Sequence, residues 1–140
     1  MLVRLLYASR AIDLSSSAID EIMSHSRQNN PGCGITGILC YGGGIFLQAI
    51  EGNRSVVNKL YGLIQRDLRH KDVELLRFEE IHERRFGSWT MGLVNVSRLN
   101  TSILLKYSEK PELNPYAVSG CMSMALLEEL MATASIIGRS

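Results

Sequence analysis

Residues 45–50 read Ile-Phe-Leu-Gln-Ala-Ile, with Ile45, Leu47 and Ala49 alternating with Phe46, Gln48 and Ile50. Successive side chains of a strand point to opposite faces. A strand here is apolar on both sides and needs a cover over each. Just upstream, Gly42-Gly43-Gly44 separates it from a second apolar run at 34–41. That is a hairpin signal, because glycine accepts the positive φ of tight hairpin turns.

The flanking segments supply the covers. Residues 2–8 form a short apolar strand, and Ser15, Ser16 and Ser17 offer N-cap hydroxyls to a helix. Ala18, Ile19, Ile22 and Met23 recur at helical spacing, which predicts a helix to about Gln28. Asn29-Asn30-Pro31-Gly32 is expected to stop it. Glu51-Gly52-Asn53 opens a second helix, with Val56, Val57, Leu60, Leu63, Ile64 and Leu68 on one broad face. Its last turn is expected to carry Arg66, Arg69 and His70, which suit the negative end of the helix dipole. Residues 73–82 and 89–96 are two further strands.

This order predicts an α+β fold, a ferredoxin-like βαββαβ(β) mixed sheet. Right-handed crossovers put both helices on one face, so the other face needs a cover from elsewhere. The tail after Arg98 supplies it: Met124, Leu126, Leu127, Leu130, Met131 and Ile137 predict an amphipathic helix over about Ser119–Ile137. Glu128, Glu129 and Arg139 provide its solvent side, and Pro111 and Pro115 mark a turn before it. The expected division is a domain over 1–97 and a C-terminal helical extension over 98–140, capping the second face.

Composition narrows the function. The net charge of +1 on 140 residues gives no whole-molecule case for a nucleic-acid binder. Cys33, Cys40 and Cys121 cannot all pair within the chain and show no metal-ligand spacing, which suits a reduced, cytoplasmic setting without a metal. No stretch is long enough to span a bilayer.

Several polar or reactive side chains fall where core is expected. Gln48 sits mid-strand, and a buried amide brings donors and acceptors that must be satisfied. Leaving one unmade costs about 1–3 kcal/mol. Tyr7 lies near the end of the first strand, on the face of Val3 and Leu5, and Asn30 follows the first helix. Trp89 and Met91 are two apart, so they should share a face of the last strand. Each has an ordinary structural reading alone: a tied-off amide, a core aromatic, a helix-stop asparagine, core packing. Together, Tyr7, Gln48, Asn30 and Met91 lie on or near elements that could converge on the helix-covered face, a set that suits a planar, partly polar heterocycle whose edge is read by amides.

Fragments of this chain resemble the BLUF domains, blue-light sensors using a flavin. The fragments are Leu5-Leu6-Tyr7-Ala8-Ser9, the Asn30 segment leading into Ile35-Thr36-Gly37, Gln48-Ala49-Ile50-Glu51-Gly52, Arg66-Asp67-Leu68-Arg69-His70 and Arg85-Phe86-Gly87-Ser88-Trp89-Thr90-Met91. They occur in order and at matching spacing over about two-thirds of the chain. The resemblance implies FAD between the two helices, with FMN or riboflavin as alternatives. Tyr7 and Gln48 would form the hydrogen-bonded pair beside the flavin, and Asn30 would hold the polar edge of the ring. Asp67, Arg69 and His70 would flank the ring and its ribityl chain. Trp89 and Met91 match a pair on the last strand that changes position among family structures, and which of them faces Gln48 stays open.

The implied function is a photoreceptor rather than an enzyme. Light would rearrange the Tyr7–Gln48 hydrogen bonds, and the signal would pass through the last strand and the C-terminal extension to an unknown downstream protein. No nucleic acid or membrane is expected to take part, and homodimerisation is left open. Two alternatives share the fold: a small acylphosphatase-type enzyme, and a colourless regulatory module. The first would need a glycine-rich phosphate cradle after the first strand, where only Arg10 is near. A cysteine-adduct flavin photoreceptor would need an Asn-Cys-Arg-Phe motif, which this chain lacks.

Overall fold

The structure is a computed structural model that describes residues 1–12, 16–133 and 137–139. The two runs around the glycines form β2 (Thr36–Gly42) and β3 (Ile45–Asn53). They are joined by Gly43 and Gly44 at φ +58° and +79°, the positive values a two-residue hairpin turn requires. β3 lies inside the sheet between β2 and β1 (Leu2–Ala11). Beyond β1 comes β4 (His70–Glu80), and beyond β2 come β5 (Trp89–Asn95) and β6 (Ile137–Arg139). The pairs β1–β3, β1–β4, β2–β3 and β5–β6 are antiparallel and β2–β5 is parallel, so the sheet is mixed.

The two parities of β3 separate into two cores, as the alternation requires. Phe46 and Ile50 join Val3, Leu5, Tyr7 and Met91 beneath α1 (Ser16–Cys33) and α2 (Arg54–Arg66), the front face. Ile45, Leu47 and Ala49 join Leu6, Ile38 and Cys40 on the back. There they meet Met124, Leu126, Leu127 and Leu130 of α4 (Gly120–Thr133), which follows the short α3 (Thr101–Leu105). The tail is also held to the rim of the sheet, where Tyr116 Oη donates to the Asp72 carbonyl at 2.6 Å. The ferredoxin-like arrangement with helices on one face and a helical cap on the other is what the pattern predicted.

Several boundaries differ from expectation, each for a local reason. α1 runs through Pro31 to Cys33 rather than stopping near Gln28. The Asn30 carbonyl accepts the Ile35 N–H at 2.9 Å, closing the last turn beyond the proline. The Ser15, Ser16 and Ser17 hydroxyls expected to cap α1 lie outside what is described. α2 starts later than Glu51: Asn53 is its cap, its side chain accepting the Ser55 N–H, while Glu51 and Gly52 finish β3. It also ends earlier, at Arg66, because Asp67 turns extended. Arg69 and His70 therefore lie beyond the helix, and Leu68 is 88% exposed rather than part of its apolar face.

The tail helix stops at Thr133, and Ile137 and Arg139 return in β6 against β5 instead of extending the helix. Gly138 weakens a helix and β-branched Ile137 favours a strand.

Candidate functional site

The front face opens into a cleft between α1 and α2. Its apolar walls are Ile22, Leu39, Phe46, Leu60, Leu63 and Ile64. Its polar lining is Tyr7, Ser26, Asn30, Gln48, Asp67, Arg69 and His70. The period-2 pattern of β1 and β3 brings Tyr7 and Gln48 together, since the two are directly opposite in the ladder. The Tyr7 hydroxyl donates to Gln48 Oε1. On its other side the amide is also engaged, with Gln48 Nε2 donating to Met91 Sδ at 3.3 Å. The result is a buried hydrogen-bond chain from β1 through β3 to β5.

Reaching Met91 means crossing β2, which separates β3 from β5. The crossing is possible at Gly37. Ile38 pairs with Gly92, which sets Met91 beside Gly37. A Cβ on Gly37 would fall 2.1 Å from the Ala49 carbonyl oxygen and 3.2 Å from Met91 Cε. Real Cβ atoms do not approach a carbonyl oxygen so closely, so the Ala49 backbone excludes a side chain here and the Met91 thioether borders the same space.

Trp89 does not share this face. It packs in the back cluster, stacked on Phe86 with ring centroids 6.1 Å apart, whereas Met91 packs in the front cluster. The expectation that the two point the same way fails because β5 opens directly from a turn. The Trp89 N–H donates to the Phe86 carbonyl at 3.1 Å, and pairing with β6 is irregular between Trp89 and Leu93. Regular alternation holds only from Met91 onward, with Met91 and Leu93 in front and Val94 behind.

The cleft's other polar groups are mostly tied. Asn30 is 5% exposed, and its Nδ2 donates to the Thr90 carbonyl at 3.3 Å, linking α1 to β5. Arg69 clips Asp67, its Nη2 reaching Oδ2 at 2.6 Å. These hydrogen bonds hold the Asp67 carboxyl below the usual carboxylate range, with burial opposing. His70 is held at both ring nitrogens: Nε2 donates to the Ile64 carbonyl at 2.6 Å, which leaves Nδ1 to accept from Ser9 Oγ at 2.8 Å. Burial, with smaller contributions from Tyr61 and Asp67, pushes the Tyr7 phenol far above its ordinary value, so it is protonated at neutral pH.

A cleft with apolar walls and the Asn30 and Gln48 amides in its lining suits a planar, partly polar ring such as the isoalloxazine of a flavin. Gln48 in particular has donor and acceptor functions committed to two neighbours of opposite hydrogen-bonding character. Arg10, the arginine near the end of β1, is engaged by Asp72 at 3.6 Å and lies 4.4 Å over the Tyr116 ring. Sequence reading missed Glu51, fully buried on the back face, together with its partners Arg4 and Arg84. The signal was a charged residue at a core parity of β3, three positions after Gln48.

Known proteins agree with this geometry. The family model for BLUF, sensors of blue-light using FAD, matches residues 2–92. Photoactivated adenylate cyclase subunit beta of Euglena longa is 35% identical over 102 residues, covering 71% of this chain and 12% of that protein. The chain thus spans about a tenth of the length of the cyclase subunits it matches. Solved structures similar over nearly the whole chain include BlsA and BlrB. BlsA in its photo-activated state is 31% identical with a TM-score of 0.85, covering 96% of this chain and 98% of that one. The dark-state structure of BlrB, a BLUF protein, is 36% identical with a TM-score of 0.79, covering 94% and 95%.

Proposed function

The chain belongs to the BLUF family, the sensors of blue light using FAD, and we propose that its response is carried by the hydrogen-bond chain Tyr7–Gln48–Met91. That chain at the floor of the cleft is the observation on which the reading rests. When bound, FAD supplies a ring that absorbs blue light and becomes a strong oxidant on excitation. The residues suited to hold it are Asn30 at the polar edge of the ring, the apolar walls on its faces, and Asp67, Arg69 and His70 along the ribityl side. FMN and riboflavin carry the same ring and would meet the same residues.

Tyr7 is the group in the cleft able to give up an electron together with a proton. Its proton leaves Oη for Gln48 Oε1, the atom already accepting its hydrogen bond. Gln48 can then rotate or tautomerise, because a primary amide presents both a donor and an acceptor. Either change alters what Nε2 offers Met91 Sδ. The electron, which would pass to the excited flavin ring, and the proton must both return to Tyr7. Tyr7 is then chemically unchanged and Gln48 is left rotated or tautomerised, so that the network has two states that light populates.

Output passes from β5 to the back face, where residues 98–140 act as an extension of the sensing domain over 1–97 and meet a separate protein. Some relatives are named as cyclase subunits. In this chain the sensor itself performs no lasting chemistry on a substrate. An absorption spectrum before and after blue light tests the reading. The expected result is an oxidised flavin spectrum that shifts to longer wavelength and returns in the dark. A protein that stays colourless after refolding with FAD would overturn it.

A further inference from the structure

We propose that Glu51 is a positioning residue that sets which side chains of β5 face the cleft, by clamping the loop that leads into that strand. Glu51 stands three residues after Gln48 on β3, on the opposite face, and is fully buried. Burying a carboxylate is costly unless it is paired and hydrogen-bonded. Its Oε2 takes Arg4 Nε and the Arg85 backbone N–H, both at 2.9 Å, and its Oε1 takes the Phe86 N–H at 2.8 Å. Two of these donors belong to the backbone of a segment outside any helix or strand. The carboxylate is thus committed to holding that segment.

Arg84 holds the same segment from outside. It donates to the Glu51 carbonyl at 3.2 Å, to Thr36 Oγ1 at 2.8 Å and to the Gly34 carbonyl at 2.7 Å. The clamped Phe86 then fixes Trp89, through ring stacking and the turn that starts β5. Trp89 adds no side-chain hydrogen bond of its own, since its buried Nε1 finds no partner. With Trp89 kept behind the sheet, the next front-facing side chain is Met91, the one that meets Gln48. Glu51 and Gln48 therefore act on β5 from one strand, one at its entry and one at its front face.

The inference deepens the photoreceptor reading and rests on it for its kinetic consequence alone. Trp89 is the chain's single tryptophan, so tryptophan emission of the flavin-loaded protein reports that residue and nothing else. Glu51→Gln keeps the size but leaves one backbone N–H facing an amide that cannot accept from it. Trp89 should then become at least twofold more accessible to a neutral quencher, with dark recovery at least threefold faster. Arg84→Met loosens the same loop without breaking the Glu51–Arg4 pair, should move both readouts in the same direction, and decides the matter if the first variant does not fold. Leu104→Ala, at the hairpin end of the same back cluster, is the control for plain destabilisation and should move neither. Unchanged quenching in both loop variants, or equal change in the control, would overturn the positioning role. Changed quenching in a protein with no light response would instead keep this role and overturn the photoreceptor reading.

Discussion

The two faces of the sheet are built from the same strands and differ in what they do with polar atoms. On the front, Tyr7, Ser9, Asn30, Gln48 and His70 are tucked among apolar side chains, and each is tied to a named partner. On the back, the middle of the sheet is closed hydrocarbon under α4, and two buried polar atoms, Trp89 Nε1 and Ser123 Oγ, have no partner. The front holds an ordered network that can exchange donors for acceptors. Under α4 the back gains its stability by contact, and its buried charge, Glu51 with Arg4, lies toward the end of β3. On the proposed reading, a signal crossing the sheet would change in kind, from hydrogen-bond pattern to packing.

The sharpest break in this comparison comes from the network. Tyr7→Phe and Gln48→Leu should each keep flavin and lose the light-induced shift altogether, as read by difference absorption. Phenylalanine has no hydroxyl proton to move and leucine has no amide to reorganise. A parental photocycle in either would remove that residue from the role assigned to it. On the back face, Leu127→Ala, at a fully buried position, should cost about 2–5 kcal/mol in denaturant unfolding. Flavin affinity should hardly change, because the lost contacts lie across the sheet. A large affinity loss would mean the faces are not separable.

Asn30→Ala is a smaller front-face effect. Losing one neutral hydrogen bond is worth about 1 kcal/mol, roughly a fivefold weaker flavin Kd by titration. The smallest effect concerns Asp67, whose carboxyl is held low by its hydrogen bonds with Arg69. A depressed carboxyl stabilises the fold above its unfolded pKa, and the contribution fades as pH falls through the folded value. The stability gap between the parent and Asp67→Asn should be present at neutral pH and close below about pH 4, the ordinary carboxylate range.

What could be read from the chain follows the range of the interactions. The alternation at 45–50 needs only neighbouring residues to be visible, and it dictated two covered faces and the need for a cap, as the local Gly42-Gly43-Gly44 run did the hairpin. Gln48 stood out for the same reason, as an amide on a strand otherwise apolar. The facing of Trp89 was not legible, because parity counts assume that a strand begins regularly. Here its start is held by Glu51, separated from Phe86 by 35 positions. The pairing of Arg84 with Gly34 and Thr36 leaves no local pattern either. β6 was hidden by its three-residue length, too short for any periodicity to register. Pro31 inside α1 shows the opposite failure, a strong local stop signal outweighed by the closure between Asn30 and Ile35.

The notch at Gly37 has a mechanical consequence. A strand buried between two others normally moves with them, since its ladder bonds make the sheet stiff in its own plane. Because β2 lacks a side chain where Met91 passes, the glutamine amide and the thioether touch over the top of that strand, like a bolt passed through a keeper. Force applied at one end arrives at the other without the intervening ladder having to shear. On the proposed mechanism the sheet can remain a rigid frame while a single contact changes, and the moving part would be a few side-chain atoms rather than a strand.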